Sequence, residues 1–530
     1  MRYIATTLLL LFLSICHGQE TFQRVIDADY ATIGNVERDA SGNLYSSSLS
    51  FYAQGVGSGI QMVKYDASGT PLWNRFLSSP TDFGVFTDHM VVNSTNEVIV
   101  TGTVNATGSN PDSAFVAKLN SNGDLAWALR FGADLAGFDG AEGFRLTLAS
   151  NGDVLVGGIF TFANTQQDIF LARITTTGTV LWTKRIVAPV ASTTNRLGGM
   201  VEAADGGIIV FGLTTLNTEG SWLLKLDTDG AYQWCRKYNT NTLQALIRPL
   251  AAVPTASGYD LFYNTFFSSS NEKLYRMSTT ATGTVVGSLT YDYGAYTGQV
   301  IGVTPITGGY AMAGLVDSET GTGGDAVLFT TNAAGAVQWA MQYGSNGGES
   351  FRSVVPTSGG GYLAGGFGER DSLVEFRGGI PTQSYLVMTD GNGLTGRCER
   401  VANVNSSAIT FTDAPYLQVV SDVAGWSIQP LVSGSTFSME EVCTAVGVEA
   451  RNAVRFSLFP NPTQDRITIT GLDNAAWQHQ VVDASCRVVL AHASSGDRLE
   501  LDLRTLSPGV YVLHSTSAGA RAVHRLVVER

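Results

Sequence analysis

The chain has 530 residues, 60 of them glycine, with 15% charged residues and a formal net charge of −13. A composition so rich in glycine and poor in charge excludes a helix-rich protein and fits many short strands joined by turns. The acidic balance argues against a phosphate-binding basic face, and so against nucleic acid as a partner.

At the N-terminus Arg2 precedes an apolar run over 4–15, then the polar "CHGQE". Cys16 and Gly18 are small residues at the −3 and −1 positions of a cut after Gly18. The pattern predicts a secretory signal peptide over 1–18. The alternative is a lipid anchor on Cys16, against which stands the bulky Ile15. No other segment reaches the apolar length of a membrane-spanning helix. The mature chain keeps Cys235, Cys398, Cys443 and Cys486, and export permits a disulfide. Cys398 and Cys443 bracket one irregular segment and are the expected pair, with four reduced, buried thiols as the alternative.

From residue 19 to 398 the chain repeats itself. "YDASGTPLW", "LNSNGDLAW", "ITTTGTVLW", "LDTDGAYQW" and "TNAAGAVQW" each place Gly four residues before Trp. Two weaker copies complete the series, so the glycines are Gly69, Gly123, Gly178, Gly230, Gly283, Gly335 and Gly393. Upstream of each lies a partner such as "TNEVIVTG" or "NGDVLVGG", a polar turn followed by a short apolar strand. Two hairpins per unit make four strands, and a period a little over fifty residues is that of a β-propeller. The expectation is an all-β chain with a seven-bladed propeller. The Trp residues are read as packing between blades, since a lone four-stranded sheet cannot bury both faces. "TFQRVI" at 21–26 resembles the strand after the Trp motif and is expected to complete the last blade.

Charged residues are expected to gather in the loops entering each blade's inner strand. Asp82 and Asp88 lie there in one unit; Asp139, Glu142, Arg145, Arg196, Arg248, Glu349 and Arg352 lie there in others. Corresponding positions of a propeller meet near the channel, so these seven are the candidate ligand face. Paired carboxylates there would suit a glycosidase, and arginines an acidic sugar; a solvated polar rim is the plainer reading. Between Gln19 and Val446 the only histidine is His89. It is read as a packed or surface residue, and any Ser-His-Asp hydrolase on this region would have to use it. No CxxC or HxxxH spacing marks a metal site, and no metal or cofactor is expected. Asp227 and Asp229 in "LDTDG" are read as a hairpin turn rather than a calcium loop.

Residues 399–446 are expected to be a connector, stapled by Cys398–Cys443. Residues 447–530 show short alternating strands of a small β-sandwich, introduced by Pro460, Asn461 and Pro462. The prolines fix φ and hold their predecessors extended. "FSLFPNPTQDRITI", then "LDLRTLSPGVYVLHSTSAG" with Leu506, Gly509 and Tyr511, then "HRLVVER" with Arg525, resembles the type A C-terminal sorting domain of the type IX secretion system of Bacteroidetes. His524 and Arg525 stand where that family usually carries Lys. The resemblance implies an Ig-like fold, export across the outer membrane, removal of the domain by the system's sortase-like peptidase, and release or attachment at the cell surface. The repeats resemble secreted bacterial propellers that often carry such a tail. "DSA" and "DSL" resemble the O-glycosylation motif of exported Bacteroidetes proteins, with Ser113 and Ser372 as acceptors. The expected function is a surface or secreted binding module for a glycan or protein. The alternatives are an extracellular polysaccharide lyase or glycosidase, and a scaffold of a surface complex.

Overall fold

The computed structural model describes residues 21–440 and 457–529, except for 28–30, 52–57, 80–81, 83, 107–110, 133–136, 188–193, 216–219, 240–245, 267–271, 295, 318–323, 345–347, 370–381, 397–398, 416–418, 423–425, 428–431, 434–437, 471–475, 483–487, 497 and 518–519. The expectations for the signal peptide, Cys398, Cys443, Cys486 and Ser372 fall outside the described residues. Regular structure within them is all strand, and no helix there is long and apolar enough to cross a membrane. Two compact units follow one another, Met1–Val442 and Cys443–Arg530.

Among the described residues of the first unit the strands pair into seven four-stranded antiparallel groups. The first takes Ala31–Arg38, Leu44–Phe51, Ser58–Tyr65 and Pro71–Ser78 in order. The others begin at Gly84–Val92, Phe138–Leu148, Thr194–Glu202, Leu246–Pro254, Gly298–Ile306 and Glu349–Pro356. They are called here blades one to seven. The fourth strand of blade seven is Phe22–Asp27, from the other end of the chain, paired with Thr382–Thr389. Inner strands of neighbouring blades meet in register. Thr304 Oγ1 of blade six donates to Val354 O of blade seven at 2.6 Å and Ser353 Oγ of blade seven to Val36 O of blade one at 3.3 Å, while Asn264 Nδ2, on the second strand of blade five, donates to Val300 O on the inner strand of blade six at 2.6 Å. The arrangement is a closed β-propeller.

The repeat motif follows from the turn between third and fourth strands. Gly69, Gly123 and their counterparts hold φ between +78° and +89°, a region that glycine occupies without a Cβ clash. The residue opening the turn accepts backbone N–H groups: Asp66 Oδ1 takes those of Ser68 and Thr70, each at 2.9 Å. At Gly123, Gly178, Gly283 and Gly393 the same bare glycine receives the preceding blade's tryptophan. A Cβ on Gly123 would lie 3.1 Å from the Trp73 ring, and one on Gly178 3.0 Å from Trp127. At Gly69 the neighbour is the fully buried Phe22, so the N-terminal strand fills the seam between blades seven and one.

Residues 399–440 run round the outside of the ring. Short strands at Arg400–Val401, Asn405–Ala408, Thr412–Pro415, Val419–Asp422, Trp426–Ser427, Val432–Ser433 and Ser438–Glu440 add antiparallel to blades six, five, four, three, two, one and seven in turn. This strap pairs every outer edge strand, groups that would otherwise template association. Phe411 anchors it, buried edge-on against Tyr263 and Tyr275. Asp413 and Asp325 form ion pairs across the strap with Arg236 and Arg400.

The second unit has a three-stranded sheet, Ser457–Phe459, Arg466–Thr470 and Arg498–Asp502, and a four-stranded one, Val488–Ser495, Ala476–Val482, Gly509–Ser517 and Ala520–Val528. Ile467, Ile469, Trp477, Leu501, Leu513 and Leu526 form its core. The Phe459–Pro460 and Asn461–Pro462 bonds are cis. Asn461 Oδ1 accepts from Val527 N at 2.8 Å, tying this stretch to the last strand. Tyr511 Oη donates to Ser507 O at 2.7 Å, and Leu506 is buried beside it.

Candidate functional site

Every inner strand carries a β-bulge at the same register position. The ladder shifts at Ile33/Asn35, Thr87/His89, Gly143/Arg145, Leu197/Gly199, Pro249/Ala251, Val300/Gly302 and Phe351/Ser353. A bulge leaves one residue outside the ladder and re-aims it. The residues so released are Gly34, Asp88, Phe144 and Gly198 in blades one to four, and Leu250, Ile301 and Arg352 in blades five to seven. All seven line one central cavity of about 740 Å³. The bulge also explains the glycine that ends the upstream motif. A Cβ on Gly102 would stand 1.8 Å from Phe86 O, and one on Gly158 1.9 Å from Glu142 O.

Charge is concentrated in this cavity. Asp88 faces the charges of Arg145 and Arg352 across it, and among the described contacts neither arginine closes an ion pair with it. Burial raises the Asp88 pKa to about 7, with Arg145 and Arg352 pulling the other way and Glu142 adding to the rise. Arg145 spends its donors on freed backbone carbonyls: Nε on Gly198 O at 2.8 Å, Nη1 on Phe144 O at 2.9 Å and Nη2 on Leu250 O at 3.5 Å. It therefore locks blades three, four and five together. Arg352 is exposed to the channel and lies 5.9 Å over the Phe367 ring. Desolvation inside the channel lowers the pKa of both guanidiniums, opposed by Asp88.

His89 lies next to Asp88. Burial, and then the Arg145 charge, lower its pKa to about 3, so the ring is neutral. Leu146 N donates to its Nδ1 at 3.4 Å, which puts the ring proton on Nε2. Three residues further along each inner strand a second ring forms. It holds Glu37 among Val91, Thr147, Val201, Val253, Thr304 and Val355. Burial raises the Glu37 pKa to about 8, against a backbone hydrogen bond at Arg38. Asn35, also lining the cavity, is buried and its Oδ1 has no partner among the described residues.

The structure divides the seven residues expected to share a face. Arg145 and Arg352 line the channel. Glu142, Arg196 and Arg248 share the register position two residues before the bulge, on blades three, four and five. Burial and then Asp112 raise the Glu142 pKa, opposed by Arg196. Asp139 is exposed at its strand's start, and Glu349 is buried where other blades place Val85, Ala141 and Asn195. These residues stand on strands rather than in loops. Asp82 pairs with Arg130 at 2.8 Å. Ser113 is half-buried and accepts from Arg130 Nη2 at 3.4 Å, while Asp227 caps its hairpin turn through Asp229 N and Ala231 N. Cys235 is buried and unpaired, its thiol pKa raised by burial. Sequence reasoning missed Glu37; aligning the repeats at that position would have shown one carboxylate among β-branched and Thr side chains.

Residues 457–529 match the family described as "Secretion system C-terminal sorting domain", and residues 149–180, in blade three, a β-propeller domain family of unknown function. No curated protein matches the chain. Among solved structures, a protein of unknown function from Dyadobacter fermentans is 9% identical over 70% of this chain and 98% of its own, at TM-score 0.41. The periplasmic gluconolactonase of Pseudomonas aeruginosa is 12% identical over 62% and 97%, at 0.40. The Hadza microbial sialidase Hz136 is 10% identical over 64% and 63%, at 0.36. Likeness at this level bears on neither substrate nor activity. The tail is decisive for destination: the chain is an extracellular β-propeller protein carrying a type IX secretion sorting domain, secreted or attached at the cell surface through that system.

Proposed function

We propose that the propeller is a binding module displayed outside the cell, with its central channel as the binding site and an acidic glycan as its ligand. In this reading a seven-bladed ring of residues 19–398, with its strap, is the mature module. The Ig-like domain of 447–530 is read by the secretion machinery and removed by its sortase-like peptidase. The observation that carries the reading is Arg352. Its guanidinium is open to a cavity of about 740 Å³, with no protein hydrogen bond among the described contacts. A planar guanidinium receives a carboxylate through two parallel hydrogen bonds. Phe144, Leu250 and Ile301 supply apolar wall, and Asn35 Oδ1 an acceptor for a hydroxyl.

A second reading, an enzyme of extracellular polysaccharide, is favoured by one observation. Asp88 and Glu37 both have raised pKa values, about 7 and about 8, as a general acid needs near neutrality. One experiment separates the two. The mature protein is applied to an array of neutral and acidic glycans, then incubated with the glycans it retains. Retention of uronate- or sialate-bearing glycans, lost in Arg352→Ala, supports the binding module. Indifference to Arg352→Ala, or retention of neutral glycans alone, overturns it. New reducing ends that disappear in Asp88→Asn would establish the enzyme.

A further inference from the structure

One seam of the propeller lacks an aromatic side chain at the tryptophan position, Phe22 standing in for tryptophan in the closing seam. Trp73, Trp127, Trp182, Trp234 and Trp339 occupy the same place on five blades, and blade five puts Gly287 there. The register is the same: Gly287 lies opposite Ser278 as Trp73 lies opposite Lys64, Trp127 opposite Lys118 and Trp182 opposite Arg173. A Cβ built on Gly287 meets no atom within 4 Å. Between Gly287 and the turn at Ala333 there is a surface cavity of about 390 Å³, walled by Val286, Leu289, Ala333, Ala334 and Arg276, and beside it Leu289 covers Gly335, the glycine on which the indole packs in sister seams.

The polar half of an indole site is also present. In two sister seams one turn carbonyl accepts twice, from a cation of the third strand and from the indole N–H. Thr176 O takes Lys118 Nζ at 3.1 Å and Trp127 Nε1 at 3.2 Å. Thr228 O takes Arg173 Nη1 at 3.3 Å and Trp182 Nε1 at 3.1 Å. The corresponding Ala333 O takes Arg276 Nη1 at 2.9 Å, and a carbonyl has a second lone pair. Arg276 is itself fixed by Asp260, so that wall is rigid. No tryptophan placed among the described residues fills it: the five seam tryptophans stand on their own blades, Trp222 and Trp477 are fully buried, and Trp426 belongs to a strand paired with blade two.

We propose that the seam between blades five and six docks a tryptophan side chain of a second polypeptide. The probe is N-acetyl-L-tryptophanamide, titrated into the full chain and followed by saturation-transfer NMR. Binding is expected, with N-acetyl-L-phenylalaninamide about fivefold weaker, the ratio given by one hydrogen bond of about 1 kcal/mol. Gly287→Trp fills the seam from within, so it should abolish probe binding and raise the Tm; the smaller Gly287→Leu should also block the probe. Equal affinity for the two probes, binding retained in either variant, or a lower Tm for Gly287→Trp would overturn the proposal. None of these readouts depends on the channel.

Discussion

Glu37→Gln tests the electrostatics of the channel most directly. The Glu37 carboxyl is the single acid in a ring otherwise made of Val and Thr side chains. Burial lifts its pKa from 4.5 to about 8. Between those values the folded chain holds a proton that the unfolded chain has lost. Folding stability therefore falls as pH rises through that window, and below it the penalty vanishes. At 1.36 kcal/mol per unit the whole shift corresponds to about 5 kcal/mol, and by pH 7 about 3 kcal/mol has accumulated. Channel water screens part of this, leaving about 1–3 kcal/mol. Gln keeps the shape and removes the titration. Urea unfolding of wild type and variant at pH 4.5 and pH 7.5 gives two stability differences. The variant should gain about 1–3 kcal/mol on wild type between the lower and the higher pH. A difference that does not change with pH would mean that Glu37 titrates as a solvated carboxylate, and the two-ring description of the channel would fail.

Three further outcomes follow from the packing and the tail. Phe22→Ala empties a fully buried site in the closing seam and should cost about 3–5 kcal/mol, read as a lower midpoint in denaturant. Phe411→Ala removes the strap's aromatic anchor between Tyr263 and Tyr275; a cost of about 3 kcal/mol and faster proteolysis within 399–440 are expected. Deleting 443–530 should leave the propeller inside the outer membrane, checked by surface labelling of intact cells; normal delivery would contradict the role of the tail.

The legible part of the fold is the part that local backbone chemistry dictates. Gly123 and Trp127 could be paired on sight because a positive φ demands glycine and the indole packs in a seam. Phe22 could be placed because "TFQRVI" resembles the strand after the Trp motif. The channel was less legible because a bulge leaves no gap in the sequence. Asp88 and Arg352 converge only after seven inner strands bend at one level, and Glu349, three residues earlier, turns into the blade instead. The strap was hidden for another reason. Strands of only two to four residues carry too little alternation to be seen, and only the unpaired edges they cover call for them.

Repetition itself sorts structural positions from functional ones in such a ring. A side chain that recurs at one register position on most blades answers a need that every blade has, as the seam tryptophans do. A side chain that breaks the series cannot be explained that way. Asp88 and Arg352 break a ring otherwise made of Gly, Phe, Leu and Ile; Glu37 breaks a ring of Val and Thr; Gly287 breaks the line of tryptophans. The first three tend to destabilise the fold, because burying a charge in an apolar ring costs free energy that Val or Leu would not. Gly287 likewise forgoes the packing that its sister blades gain from an indole. Positions that weaken a fold where most of their counterparts do not are where selection for stability has yielded to something else, and in this protein they fall in one channel and one seam.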